Sequence, residues 1–352
     1  MLAATSVGQA IAGPVTSRWM GAWGMRRVLT LTLTVCVLAV LGLALLPLNV
    51  PGYMALGLLA GLSTPPVQAA VRTIYPKLVN SSQLTPLFSL DASLQEIIWI
   101  LAPVVITLVS TQIGTVEGLL LVAIILVVGG GWFILSPELG RVRIPRSRRA
   151  FGLVVLKPPV LLATVIGFLL IGACSAVEVG VVATFGHEGL DAGLVLAIFA
   201  VGSLAGGLSM GHIPIGPWAM ARRLAIVAVG LALTMVSLNI FWIGGTLLLA
   251  GIGIAPALAV LFAITTASVK FSDTAEAFGW AGTGQLIGAA AGSAIAGLLV
   301  DNAGPQGAFV AGILFAIVGL IVAVVFVRAF PDLRHRDPSP YPDTEPVAVT
   351  PS

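Results

Sequence analysis

Charged side chains are scarce in this sequence: Asp, Glu, Lys and Arg together make up only 9% of its 352 residues. A water-soluble domain contains about 25% charged residues and needs them to cover its surface. Because 58% of the residues are hydrophobic, the solvent around most of the chain must be lipid. The composition therefore predicts an all-α integral membrane protein, since a helix satisfies its own backbone hydrogen bonds in lipid.

Residues that bind metals and cofactors are also rare. The chain has 3 His, which are scattered, and 2 Cys, Cys36 and Cys174, which both lie inside apolar runs. This pattern does not match a zinc or haem site, so we expect no metal and no cofactor and interpret both cysteines as reduced core residues. A phosphate-binding Gly-rich loop ending in Lys is absent, which argues against ATP as the driving force. A membrane enzyme would need a cluster of His, Cys or acidic residues, so we expect that the protein is not an enzyme.

Long apolar runs make up most of the chain. A membrane-spanning helix needs about 20 such residues. Runs of suitable length predict eleven spans, at residues 2–17, 28–48, 52–74, 89–112, 116–136, 159–185, 191–211, 224–241, 243–268, 277–300 and 306–329. The remaining residues, 331–352, are polar and rich in proline, and we predict that they form a disordered cytoplasmic tail.

Positive charge is concentrated in one stretch near the middle of the chain. Six of the 17 Lys and Arg residues lie between Ser136 and Pro158. If this stretch is cytoplasmic, the alternation of spans places every Lys and Arg on the same side, and the positive-inside rule then predicts a multi-pass protein of the cell membrane. The loops on the other side hold His187, Glu188 and acidic residues such as Asp301. We interpret the basic stretch as an anchor at the inner lipid surface rather than as a nucleic-acid-binding patch.

Two segments of the chain resemble each other at a constant spacing. The tripeptide that begins at Leu59 recurs 190 residues later at Leu249. At the same spacing, Phe88–Gly114 corresponds to Phe278–Gly304, and Gln95 corresponds to Gln285. A shared spacing of this kind predicts a parallel duplication into two halves.

The duplication divides the chain into four parts. We predict an N-terminal bundle of five spans at 1–136, a basic cytoplasmic linker at 137–158, a C-terminal bundle of six spans at 159–330, and the tail. The partner of the first span after the linker would precede Met1. We therefore hypothesise that the sequence lacks a first helix, which an upstream reading frame would supply.

This organisation resembles the major facilitator superfamily, which has two six-helix bundles joined by a long basic loop. The signature of that family, Gly-x-x-x-Asp-Arg-x-Gly-Arg-Arg, corresponds to the stretch that begins at Ser17. Gly24 matches the signature and is followed, after Met25, by the basic pair Arg26-Arg27, whereas Ser17, Gly21 and Ala22 replace its Gly, Asp and Arg. The resemblance implies a two-bundle fold and, for Arg26 and Arg27, a role in gating.

The resemblance also implies a function. We expect a monomeric secondary active transporter that moves a small solute by alternating access, with export and proton coupling as the expected mode. Nucleic acid is not an expected partner. The alternative is a membrane sensor or assembly protein that keeps the fold without transporting, and the altered signature favours this reading.

Charges inside apolar spans are costly and mark candidate functional residues. Glu178 lies about 28 Å along its predicted helix, where it could bind substrate or a proton in a central cavity or lie at the membrane interface. Glu96 lies deeper in its span than Asp91, and we predict that it contributes to coupling. Gln95 and Gln285 occupy matching positions in the repeat, so they could bind substrate or join two helices by hydrogen bonds.

Arg72 and Asp91 are the candidate gating charges within the first half. The loop between their two spans is short, which makes the spans antiparallel neighbours and places both charges at a similar depth. We predict a structural ion pair between them. Glu276, by contrast, is interpreted as an acid near the start of a helix, where the helix dipole favours it.

Overall fold

The computed structural model describes residues 2–186 and 190–343. His187, Glu188 and the tail residues 344–352 lie outside this part of the chain. Fifteen α-helices form the described structure. They are α1 (Leu2–Trp23), α2 (Met25–Leu45), α3 (Val50–Leu62), α4 (Val67–Leu78), α5 (Ser81–Gln112), α6 (Thr115–Ile125), α7 (Gly131–Leu135), α8 (Pro137–Arg141), α9 (Pro158–Phe185), α10 (Asp191–Met210), α11 (Ala219–Leu233), α12 (Ile240–Gly251), α13 (Ile254–Ala267), α14 (Phe271–Ala303) and α15 (Pro305–Val325).

Ten helical segments are long and apolar enough to cross a membrane within the described residues. Three of them consist of two consecutive helices: α3 with α4, α6 with α7, and α12 with α13. The helix α1 is 22 residues long but less apolar, and it makes the eleventh segment. The all-helical membrane fold predicted from the apolar runs is therefore confirmed.

Successive segments run in opposite directions, which gives the molecule two ends. We call the end that carries the loop before α2, the linker and the loop before α14 the basic end. The other end, which carries the loops before α3, α10 and α15, is called the opposite end. Of the charged residues described at the opposite end, Glu117, Asp191 and Asp301 are exposed acids.

The internal repeat is visible in the structure. Each copy of the repeated tripeptide ends a helix, because α3 stops at Leu62 and α12 stops at Gly251. Pro66 and Pro256 follow these breaks, consistent with proline ending or kinking a helix. The next helices, α5 and α14, are 32 and 33 residues long, so the two halves share the same order of elements.

Glycines let the helices of the second half approach closely. A methyl group at Gly288 or Gly292 would clash with the backbone of α9, and one at Gly202 or Gly206 would clash with the backbone of α12 and the residue after it. Close packing of this kind is a main source of helix association in lipid. The glycine repeats therefore hold the second half together.

The described part of the chain after α15, up to Asp343, contacts the second half, although the sequence predicts a disordered tail from residue 331. Leu333 is buried, and its backbone N–H donates to the carbonyl of Ile215 at 2.9 Å. Tyr341 pairs with the loop between α13 and α14, donating to Val269 at 2.9 Å and accepting from Phe271 at 3.0 Å. This loop has backbone groups that no helix satisfies, and the tail supplies their partners.

Candidate functional site

A cavity of about 770 Å³ lies between the two halves. The first half contributes α1, α5 and the chain around the break between α3 and α4, and the second half contributes α9, α10, α13 and α14. The walls are mainly apolar with a few polar groups, which is typical of a small-molecule site. The two helix breaks of the repeat lie on either side of the cavity.

Along α9 and α10, the cavity reaches much closer to the opposite end than to the basic end. On α9 its last lining residue is Val182, three residues before the helix ends, and on α10 its first is Gly193, two residues after the helix begins. At the basic end of the same helices, the first lining residue of α9 is Ile171, 13 residues after the helix begins, and the last of α10 is Ala200, 10 residues before it ends. The cavity therefore opens toward the opposite end.

One carboxylate from each half faces this cavity. Glu96 comes from the middle of α5 and Glu178 from the last third of α9, and the two interact electrostatically with each other. Glu178 is exposed to the cavity, while Glu96 is half-buried and also interacts with the Ser203 hydroxyl of α10. They are the only charged side chains among the described residues that line the cavity. Glu178 therefore faces the cavity, as one of the two readings of the sequence expects.

Both predicted amides also line the cavity. Gln95 and Gln285 come from α5 and α14, which are equivalent helices of the two halves. Gln95 Nε2 lies 3.4 Å from an Asp91 oxygen, whereas the Gln285 side chain packs against Gly167 of α9. Gln9 and Gln68 are further lining amides. These groups can hydrogen-bond a polar part of a bound molecule.

Arg72 and Asp91 form the ion pair that the sequence predicts. Arg72 Nε donates to Asp91 at 2.9 Å, and the Tyr75 hydroxyl donates to the other Asp91 oxygen at 3.1 Å. The Arg72 guanidinium also lies 3.6 Å from the centroid of the Phe262 ring and 5.9 Å from that of Phe278. Since both rings belong to the second half, this buried arginine connects the halves by cation–π contacts.

A second ion pair between the halves was missed at the sequence level. Arg18 at the end of α1 contacts Glu276 on the second turn of α14 at 2.5 Å. Only 2% of the Glu276 side chain is exposed, so its charge depends on this partner and on the backbone N–H of Gly152, which donates at 2.8 Å. The interpretation of Glu276 as a simple helix-start acid therefore leaves out its main contacts.

The linker completes the contacts at the basic end. Ser147 donates a hydrogen bond to Asp273 of α14 at 2.5 Å, and Arg149 lies 3.3 Å from the other oxygen of the same carboxylate. Arg18 also donates to the Arg149 carbonyl. Partial burial lowers the pKa of Lys157 at the end of the linker, and the charge of Arg149 lowers it further. The linker thus contacts both halves through Ser147 and Arg149, while its other arginines are exposed, and their role as an anchor at the lipid surface stays a prediction.

The backbones of the two halves touch along the same region. A methyl group at Gly279 would clash with Gly13 of α1. Ser89 donates a hydrogen bond to the carbonyl of Gly207 at 2.6 Å. We call these two contacts, together with the Arg72, Arg18 and linker contacts, the basic-end lock. Thr283 donates to the carbonyl of Ala10 at 2.7 Å at the level of the cavity, which Thr283 lines, and is not part of the lock.

The pair Arg26-Arg27, for which the family resemblance implies a gating role, lies outside the lock. Both side chains are exposed, and Arg26 donates to the Ser136 carbonyl of its own half at 2.8 Å. Gly24, which precedes the pair, has a φ of +92°, a conformation that glycine adopts at little cost. The matched part of the signature thus shapes the turn between α1 and α2, while a gating role for the arginine pair stays a prediction.

Two bundles around a central cavity that is closed at one end define a class of membrane transporters. The family model of the Major Facilitator Superfamily matches this chain at residues 1–249 and 214–351. The chain therefore belongs to that superfamily and is a multi-pass membrane transporter. A search of curated proteins found no match.

Solved structures of transporters share the fold. The human organic anion transporter MFSD10 (TETRAN) is 16% identical, with a TM-score of 0.71 over 91% of this chain and 82% of that one. A bacterial homologue of the iron transporter ferroportin, in an outward-facing state, is 13% identical, with a TM-score of 0.72 over 92% of this chain and 88% of that one. At these identities the likeness establishes the fold and not the substrate.

Proposed function

We propose that this protein is a secondary active transporter that exports a small solute across the cell membrane by alternating access, with protons as the coupling ion. The observation that carries the proposal is the Glu96–Glu178 pair. It places one carboxylate from each half in a cavity that is accessible from one end and locked at the other. Movement of the halves would change both the access to these groups and the distance between them.

The orientation follows from the distribution of charge. The basic end would lie in the cytoplasm, because positive loops are retained on that side of a membrane. The conformation described above would then be open to the outside, and the basic-end lock would be the cytoplasmic gate. A complete transport cycle requires this lock to open and the other end to close.

Repulsion between the two carboxylates would couple proton binding to solute binding. Two carboxylates that face each other among apolar walls repel when both are ionised, and their site becomes more favourable when one takes up a proton. A solute that binds to the ionised pair would displace this proton. Glu96 and Glu178 would therefore exchange protons for solute as the cavity changes sides.

Proton movement driven by a solute gradient tests this function. The purified protein would be reconstituted into liposomes that enclose the pH dye pyranine. The liposomes would be exposed in turn to tetraphenylphosphonium, benzenesulfonate and glucose, which represent cationic, anionic and neutral solutes. We expect at least one solute to change the internal pH in a protein-dependent way. The double variant Glu96→Gln with Glu178→Gln should abolish the change.

The matched control is Glu117→Gln, which removes an exposed carboxylate at the opposite end and should leave the signal intact. If no solute changes the internal pH although the protein is monodisperse and correctly reconstituted, proton-coupled transport is contradicted. That result would favour the non-transporting sensor or assembly protein.

A further inference from the structure

The charges that line the cavity all have the same sign. Among its described lining residues, Glu96 and Glu178 carry charge, and no Lys, Arg or His is present. The buried Arg72 does not line the cavity, and its guanidinium pairs with Asp91 and lies over the Phe262 ring. Within the described part of the chain, no positive side chain lines the cavity to neutralise the two carboxylates.

A charged group in apolar surroundings needs a counter-charge, because desolvation is otherwise costly. Ser203 and the lining amides offer the carboxylates hydrogen bonds but no opposite charge. A positively charged ligand supplies this charge, whereas an anion would add to the repulsion. The charge pattern of the cavity selects for cations.

The remaining walls indicate what kind of cation fits. The cavity volume of about 770 Å³ is in the range of sites for drug-sized molecules. Trp99, whose side chain is 61% exposed, lines the cavity within one turn of Glu96, and Phe199 and Phe278 add aromatic surface. Aromatic faces attract organic cations, and the apolar walls match their hydrocarbon parts.

An inorganic metal ion fits the same site poorly. No group of three or more His, Cys, Asp or Glu side chains is placed to hold a metal ion anywhere in the described structure. Two carboxylates in a cavity of this size leave most coordination positions of a small ion unfilled. An organic ion, in contrast, can fill the space between the walls.

We propose that the solute is an amphipathic organic cation whose positive group is held between Glu96 and Glu178 and whose apolar part lies against the walls around Trp99. This proposal rests on the transport function proposed above and specifies its substrate class. The same carboxylates then serve both the cation and the proton, so that one displaces the other.

Equilibrium binding to the purified full-length protein in detergent tests the substrate class without requiring transport. The probes are radiolabelled tetraphenylphosphonium and tetraphenylborate, which have the same shape and opposite charge, together with ethidium, rhodamine 6G and Mn²⁺. Binding by empty micelles is subtracted. We expect the three organic cations to bind, and tetraphenylborate and Mn²⁺ to bind at least tenfold more weakly.

The variants locate the bound cation. Glu96→Gln and Glu178→Gln should each weaken tetraphenylphosphonium binding at least tenfold, whereas Glu178→Asp should retain part of it. The exposed Glu117→Gln serves as the control and should bind like the unmodified protein. Only variants that elute at the same volume as the unmodified protein in size-exclusion chromatography are compared, so that loss of fold is not mistaken for loss of binding.

Three results would overturn the proposal: none of the organic cations binds, tetraphenylborate or Mn²⁺ binds as tightly as they do, or the Gln variants leave binding unchanged. Two further results distinguish failure of the cation class from failure of the transport function. If benzenesulfonate or glucose drives proton movement in liposomes while no cation binds, transport stands and the cation class is wrong. If the cations bind at Glu96 and Glu178 without any flux, the class stands and transport is wrong.

Discussion

The two ends of this molecule differ in how the halves meet. At the basic end, the Arg18–Glu276 and Arg149–Asp273 pairs and the Arg72–Phe262 contact join the halves. Toward the opposite end, the cavity separates them as far as Val182 and Gly193. Charged side chains and the linker thus close one end, while exposed acids surround the other. The comparison suggests that the conformational equilibrium is set at the basic end.

Among the variants considered, Arg72→Ala is expected to increase opening of the basic end the most. This change removes the cation–π contact with Phe262 between the halves, which contributes about 2 kcal/mol or more when desolvated. It also leaves Asp91 in the first half without its cation, which further destabilises this region. We expect the basic end to open in a large fraction of molecules. The rate at which an impermeant maleimide labels a cysteine at Ser89, in a background without Cys36 and Cys174, reports this opening.

Labelling at Ser89 should rise at least tenfold in Arg72→Ala. Arg222→Ala removes an exposed arginine at the same end and should leave the rate within twofold of the parent protein. Equal labelling in the two variants would show that Arg72 does not hold the halves together.

The next largest effect concerns Arg18 and Glu276. Truncating one partner of a buried charge pair at an interface costs about 2–5 kcal/mol, so Arg18→Gln and Glu276→Gln should each increase Ser89 labelling. The double variant should label little faster than the stronger single variant, because both remove the same contact. Strictly additive effects in this cycle would mean that the two residues act independently.

A smaller effect is expected from the linker. The Arg149 side chain is 44% exposed, and exposed ion pairs contribute only about 0.2–1 kcal/mol. Arg149→Ala should therefore raise Ser89 labelling less than fivefold, and high salt should reduce the difference because it screens the charges. Arg148→Ala, one residue earlier, is the control. If Arg149→Ala raises Ser89 labelling as much as Arg72→Ala does, the linker contributes as much as Arg72 to holding the halves together.

Removing the chain after α15 is expected to have the smallest effect, a small loss of thermal stability. Removing residues 331–352 exposes the loop between α13 and α14 and the site of Leu333, and a loss of about 1 kcal/mol would lower the melting temperature by about 2–4 °C. Removing only 344–352 keeps the contacts of Leu333 and Tyr341 and should therefore lower the melting temperature less than the longer truncation. If both truncations melt at the same temperature as the parent, the contacts of Leu333 and Tyr341 do not stabilise the basic end.

Much of this architecture could be predicted from the sequence because lipid imposes simple rules. Apolar runs predict the helices, and the positive loops separate the two ends. Glu96 and Glu178 were found because charges stand out in apolar spans. The Arg72–Asp91 pair was predictable from two adjacent antiparallel helices.

The lock was not predictable in the same way. Arg18 and Glu276 are separated by 258 residues along the chain, and each alone is an ordinary charge at a helix end. The position of Glu276 directly before the predicted span 277–300, six residues from the nearest basic residue, Lys270, was the one signal available. The order of the tail likewise depends on backbone groups of a distant loop, which no local pattern reveals.

The most direct test of alternating access measures both ends in the same protein. Spin-label pairs would be placed at Thr115 and Asn302 for the opposite end and at Lys77 and Arg222 for the basic end, and distances would be recorded at pH 5.5 and pH 8, with and without tetraphenylphosphonium. We predict that a change of condition shortens one distance and lengthens the other. Distances that stay constant under all conditions, or that lengthen and shorten together, would contradict a transporter that opens its two ends in turn.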